Sequence, residues 1–198
     1  MEPYCGICAS PGVDTEHCPR EHADDCFDKV NSIGIYYQKR YEKDDLLSHH
    51  LLKLKGDSAY AEPLGKSMGI VAKEVHPDLL ESDGIVPIPL YISEFVWRGF
   101  NQALELAKVL RRETNLPIIW ALEKTRAHSQ KKLNLADRRE KVDGLYQVKY
   151  PKRVKDKKLL VLDDVFTSGA TCSECAKMLK WAGAKTVRVF VAGRSNFV

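Results

Sequence analysis

Apolar residues along this chain fall into two kinds of run, short unbroken ones and longer ones with helical spacing. The short runs are Ile33 to Tyr37, the stretch around Ile85 to Leu90, Pro117 to Trp120, Leu145 to Val148, Leu159 to Leu162 and Thr186 to Ala192. Each has the length and continuity of a buried strand. Between them lie helical patterns. Leu47, Leu51 and Leu54 recur at helical spacing and stop at Lys55-Gly56. A second helix is expected over Ala61 to Val75, ending before Pro77. Ala103, Leu106, Ala107 and Leu110 share one face, with Asn101 as a competent N-cap, and Cys172, Cys175, Ala176 and Leu179 share another, closed by Gly183. Alternation of short apolar strands with amphipathic helices predicts an α/β fold, a mostly parallel sheet flanked by helices. The stretch Asp83 to Leu90 carries Pro87 and Pro89, which cannot donate to a ladder, so its strand should end there in a rigid loop.

Composition narrows the class. The 198 residues can bury one substantial core plus a small appendage, and 44% hydrophobic with 29% charged content is that of a soluble globular protein. No apolar run reaches membrane-spanning length and no signal peptide precedes Cys5, so the expected compartment is the cytoplasm, with no membrane partner. A net charge of +4 is too mild to imply nucleic acid by itself.

The six cysteines change the picture at one end. Residues 1–28 are polar and turn-rich, and contain Cys5-Gly-Ile-Cys8, then Cys18 and Cys26. Thiolates at this spacing can fill the corners of a zinc tetrahedron, and the metal would give so small a segment a fold its own core cannot supply. The second pair is irregular, with His17 and His22 nearby, so His22 is an alternative to Cys26 as fourth ligand. The expected division is a zinc-binding element at 1–28 and a core domain at 29–198. Cys172 and Cys175, three apart on a helix, read as small packing residues. From Lys124 through Lys141 there are seven Lys/Arg against Asp137 and Glu140, a solvated face or a lid over phosphates.

The chemistry concentrates after the strand Leu159 to Leu162. Two carboxylates, Asp163 and Asp164, are expected at its end, and the turn Thr167-Ser168-Gly169-Ala170-Thr171 leads into the next helix. First-turn N–H groups, three hydroxyls and the helix dipole make an anion site there. The turn lacks the Gly-Lys-Ser/Thr ending of a triphosphate loop. Carboxylates do nothing for a phosphate, but they accept hydrogen bonds from sugar hydroxyls. Acids followed by a phosphate cradle describe a ribose 5-phosphate pocket. Arg98 stands just ahead of the helix capped by Asn101, where anions also collect.

At these residues the chain resembles type I phosphoribosyltransferases, whose signature for 5-phosphoribosyl 1-pyrophosphate (PRPP) has this order of apolar run, paired acids and phosphate loop. More specifically, the order Cys5-x2-Cys8, Val86-Pro-Ile-Pro-Leu90, Arg98-Gly-Phe-Asn-Gln-Ala103, Lys124-Thr-Arg126 and Leu162 to Thr171 resembles the ComF family. That resemblance implies a phosphoribosyltransferase-like domain with a small zinc element and, in competent bacteria, a role in handling incoming single-stranded DNA. It implies PRPP as donor, with Mg²⁺ on its pyrophosphate and an acceptor the sequence does not identify. Asp163, Asp164 and Arg98 would be the catalytic residues. Pro87, Arg98, Asn101, Asp163, Asp164, Thr167, Ser168, Gly169, Ala170 and Thr171 would bind PRPP. Zn²⁺ would be held by Cys5, Cys8, Cys18 and Cys26. Partners would be single-stranded DNA or DNA-uptake proteins, with room for a homo-oligomer, and the basic segment would be the lid. A binding module that senses ribose phosphate or single-stranded DNA without turnover is the second reading, with Trp97 and Phe100 beside Arg98 as stacking residues. Two departures from the family pattern stand out: the second Cys-x2-Cys is missing, and Lys141 occupies a position where the family usually has Asn.

Overall fold

The computed structural model describes Cys5 and residues 26–36, 45–125 and 144–195. Its centre is β6 (Lys158–Phe166), held between β7 (Thr186–Ser195) and β3 (Gly84–Pro87), with every pairing parallel. β1 (Lys29–Ser32) and β2 (Ile35–Tyr36) pair one after the other with the far edge of β7. Burial on both faces explains the unbroken apolar runs. Leu159 and Val161 enter one core with Val187, Val189 and the helix α5 (Ala170–Trp181). Leu160 and Leu162 enter the other, with Phe190 and the helices α1 (Leu46–Leu54), α2 (Ala61–Glu74) and α4 (Gln102–Thr114). The α/β architecture with a parallel sheet is therefore present as expected.

The helices obey their sequence signals. Asp45 accepts from Ser48 N at the start of α1, Asn101 accepts from Leu104 N at the start of α4, and Asn115 closes α4 in the left-handed region. α2 and α4 lie so close that a Cβ on Gly65 would stand 2.5 Å from Val109 Cβ.

Four features differ from the expectations. Pro117 to Trp120 is not a strand but a single bridge, Ile118 opposite Ile85, because Pro117 offers only its carbonyl. Leu145 to Val148 yields β5 (Tyr146–Val148), which pairs antiparallel with β4 (Leu122–Lys124), apart from the main sheet. The residues before Arg98 form a helix, α3 (Ile92–Arg98), where a loop is expected. None of its residues is buried, although Ile92, Phe95 and Val96 recur at helical spacing; Glu94 accepts from Tyr91 N at its start and Gly99, at φ 78°, ends it. Finally, β6 does not stop before Asp163. It runs on to Phe166 because β7 accompanies it as far as Arg194.

The buried core also reaches forward of residue 29. Phe27 stacks edge-on against Phe166 at 5.8 Å, Cys5 is fully buried in the same cluster, and Cys26 N donates to Ser173 Oγ.

Candidate functional site

β3 stops at Pro87, opposite Leu162, while β6 continues for four residues with β7. Asp163 and Asp164 therefore lie on an edge of β6 that β3 has left. The chain leaving β3 leads to α4 on one face of the sheet, and the chain leaving β6 leads to α5 on the other. Connections that part to opposite faces open a crevice beyond the carboxyl ends of the strands, where open α/β sheets bind ligands.

On the β6 side of that crevice the backbone is prepared for an anion. The turn Thr167 to Gly169 enters α5 through Gly169, whose φ of 75° a side chain would strain. Ser168 Oγ accepts from Ala170 N at 3.4 Å. Among the described residues the N–H groups of Thr167, Ser168 and Gly169 donate to nothing. With the N-terminus of α5 they form a concave set of donors, and the pocket they border is lined by Asp163 and by Val165 through Cys172.

The two carboxylates at its edge fold onto their own backbone. Asp163 Oδ1 accepts from Asp164 N at 2.9 Å, and Asp164 Oδ1 accepts from Val165 N at 2.8 Å. Asp163 sits deep, with only part of its surface reaching the cleft. Burial, and then the charge of Asp164, hold its pKa well above the ordinary carboxylate range, against the opposing Asp164 N–H and Lys124.

Of the residues singled out from the sequence, the structure brings Asp163 and Thr167 to Thr171 into one pocket, with Asp164 next in the strand. Pro87 is one register step behind, opposite Leu162, and Ile88 N donates to Leu162 O. Arg98 and Asn101 lie across the end of β3 and do not line this pocket. Arg98 is the last residue of α3 rather than part of a loop, and its Nη1 donates to Gln102 Oε1 at 3.4 Å. Asn101 is buried, with both ends of its amide engaged: Oδ1 caps α4 and Nδ2 donates to Ile88 O at 3.0 Å. Of the four cysteines at the amino end, Cys5 is buried and Cys26 half-buried; Cys8 and Cys18, like His17 and His22, lie outside the described residues. So does the basic segment from Arg126 to Lys141. Cys172 and Cys175 are buried packing residues of the core, and burial pushes the Cys175 thiol well up.

Three residues near the crevice escape a reading of the sequence. Lys124, whose side chain is 7% exposed, lies 2.9 Å from the Glu94 carboxylate and so joins β4 to α3. Burial alone would raise the pKa of Glu94, but Lys124, the Tyr91 N–H and Arg98 outweigh it and lower it. Arg194 is fully buried behind the turn. For Lys124 a signal existed, since it opens the basic segment; for Arg194, at the end of an apolar strand, there was none.

No family model matches the chain. It is 27% identical to competence protein F of Haemophilus influenzae over 203 aligned residues, 98% of this chain and 85% of that protein. It is 27% identical to competence protein ComFC of Bacillus subtilis over 158 residues, 78% of this chain and 62% of that one. Identity to DNA utilization protein YhgH of Escherichia coli O157:H7 is 32% over 117 residues, 57% of this chain and 50% of that one. The chain thus spans most of the first relative and only about half of the last. Among solved structures it is similar to the allosteric regulatory enzyme of purine biosynthesis and to the glutamine PRPP amidotransferase of B. subtilis. Each is 20% identical with a TM-score of 0.47, covering 67% of this chain and 26% of the other. No helix among the described residues is long and apolar enough to cross a membrane.

Proposed function

Because this chain belongs to the ComF family, we propose that its crevice is a PRPP site and that the protein is a phosphoribosyltransferase serving the handling of incoming DNA. One observation carries the reading: N–H groups of Thr167, Ser168 and Gly169 that find no partner among the described residues stand beside the adjacent carboxylates Asp163 and Asp164. The N–H groups and the α5 terminus hold the 5-phosphate. Asp163 and Asp164 each keep an oxygen beyond the one bonded to the backbone, and those oxygens accept from the ribose hydroxyls.

In the transfer, the bond from C1 to pyrophosphate breaks with its electron pair leaving on pyrophosphate, and an acceptor nucleophile closes on C1. The carboxylates orient the ribose and face the positive charge that develops on it. Two adjacent carboxylates are hard oxygen donors of the kind that fit Mg²⁺, and Asp163 and Asp164 are the residues that would hold it. Bound there, Mg²⁺ supplies neutralisation of charge on the leaving pyrophosphate. Arg98, at the end of α3 across the crevice, is assigned to the pyrophosphate side. Asn101 acts on that side indirectly, by fixing the chain after Pro87 to the head of α4.

Titrating PRPP with Mg²⁺ at fixed salt against the Asp163→Asn, Asp164→Asn double variant tests the site by sign. Loss of hydroxyl acceptors weakens PRPP at least tenfold, about 1.4 kcal/mol, in a fold that stays intact. A plain phosphate or nucleic-acid backbone site would gain affinity when two negative charges are removed, so equal or tighter binding would sink the assignment.

A second reading, single-stranded nucleic-acid binding without turnover, is favoured by the exposed aromatics. Trp97 is 83% exposed, and Tyr150 lies under the Arg153 guanidinium at 4.6 Å, whereas Phe100 packs into the core. Pyrophosphate release assayed with acceptor bases and with single-stranded DNA separates the readings. DNA binding without release favours the second.

A further inference from the structure

Arg194 is the largest fully buried side chain among the described residues, and it lies directly behind the anion-binding turn. Its Nη1 donates to Thr167 O at 3.1 Å and to Phe166 O at 3.4 Å. Its guanidinium stacks on the Phe166 ring at 4.8 Å, and Phe27 packs edge-on against that ring. Its own backbone is fixed twice, by the register with Phe166 and by Arg194 N donating to Gly34 O at 2.9 Å. Arg194 does not line the pocket.

The geometry of the peptide unit turns this into a statement about the pocket. In a trans peptide the carbonyl of one residue and the N–H of the next point in opposite directions, and no described peptide here is cis. Drawing the carbonyls of Phe166 and Thr167 back onto Arg194 therefore turns the N–H groups of Thr167 and Ser168 the other way, away from the arginine. These are two of the three donors that find no partner among the described residues. The guanidinium also sets a permanent positive charge beneath the turn, in surroundings where water and salt screen it poorly.

We infer that Arg194 is a positioning residue for the phosphate group of the ligand: without touching it, the side chain aims the turn's N–H donors into the pocket. The inference rests on the ribose-phosphate reading of the pocket and adds the residue that makes the turn an anion receptor. Lysine keeps the charge but lacks the planar guanidinium that stacks on the Phe166 ring and fixes the donor nitrogen, so it should replace Arg194 only in part.

The test uses the full chain, ribose 5-phosphate as the probe, and the variants Arg194→Met and Arg194→Lys. Methionine keeps length and apolar contact with Phe166, and buried charges are often replaced by apolar groups without unfolding. The expected result is affinity lower by about tenfold or more in R194M and by about threefold in R194K, with the charge-assisted bonds as the basis. Amide resonances of Thr167 and Ser168 should shift between wild type and both variants in the absence of any ligand, while unliganded β1 amides stay put. If R194M does not fold, R194K alone carries the test. Wild-type binding of ribose 5-phosphate with unchanged affinity in the folded variant refutes the role of Arg194 and leaves the pocket reading standing. Failure of the wild type to bind ribose 5-phosphate at all refutes both.

Discussion

Asp163 shows how a single residue can serve a site at the expense of the fold. Its pKa is raised, first by burial and then by Asp164, so the folded state holds its proton more tightly than the unfolded chain does. The sign follows from linkage: relative stability is highest below the unfolded carboxyl pKa of about 4 and is lost as pH rises through the raised folded value. Asp163→Asn removes the titration. Thermal melts should therefore show D163N more stable than wild type at neutral pH, with the advantage shrinking toward pH 4. A variant less stable than wild type at pH 7 would mean that the backbone bond to Asp164 N outweighs desolvation. The acids and the hydroxyl-rich turn were legible in the sequence because their chemistry is local, a run of eight or nine neighbours. Arg194 was not, since its meaning comes from standing opposite Phe166 in the strand register, a relation between positions 28 residues apart.

At the scale of elements, the crevice depends on the way β3 and α4 are tied together. Asn101 joins them with one amide, capping α4 through Oδ1 and holding Ile88 O through Nδ2. Asn101→Ala loses both bonds and leaves a buried carbonyl unsatisfied, so chemical denaturation should show a loss of about 1–3 kcal/mol. If the loop after Pro87 holds pyrophosphate, PRPP affinity should fall with it, while ribose 5-phosphate affinity changes little. A loss of stability below about 0.5 kcal/mol would mean that water replaces the cap. The long elements followed from their periodicity, because packing against a buried sheet face demands it. α3 has no buried residue and is held instead by Glu94 through Tyr91 N and Lys124. Pro117 to Trp120 failed as a strand because an apolar run fixes burial but not the number of ladder bonds, and Pro117 cannot donate one.

For the whole molecule, the amino-terminal cysteines raise the question of how many parts the chain has. Cys5 and Phe27 enter the same core as β6 and α5. A zinc ion bound by Cys5, Cys8, Cys18 and Cys26 would therefore brace the main domain as well as its own segment. Purified protein should contain about one zinc per chain, and chelation should lower the melting temperature of the whole domain. Comparison of Cys26→Ala with His22→Ala identifies the fourth ligand by which variant loses the metal. A metal-free protein with the wild-type transition would remove zinc from the structure's support. The sequence by itself determined the alternation of strands and helices, the caps and the acid-acid-turn order, because each depends on neighbours a turn or a strand apart. Only the tertiary structure decided that β3 ends where β6 continues, that consecutive connections part to opposite faces, and that a buried arginine backs the turn. Those are relations between chain segments set by long-range register and packing, and no local run of residues encodes them.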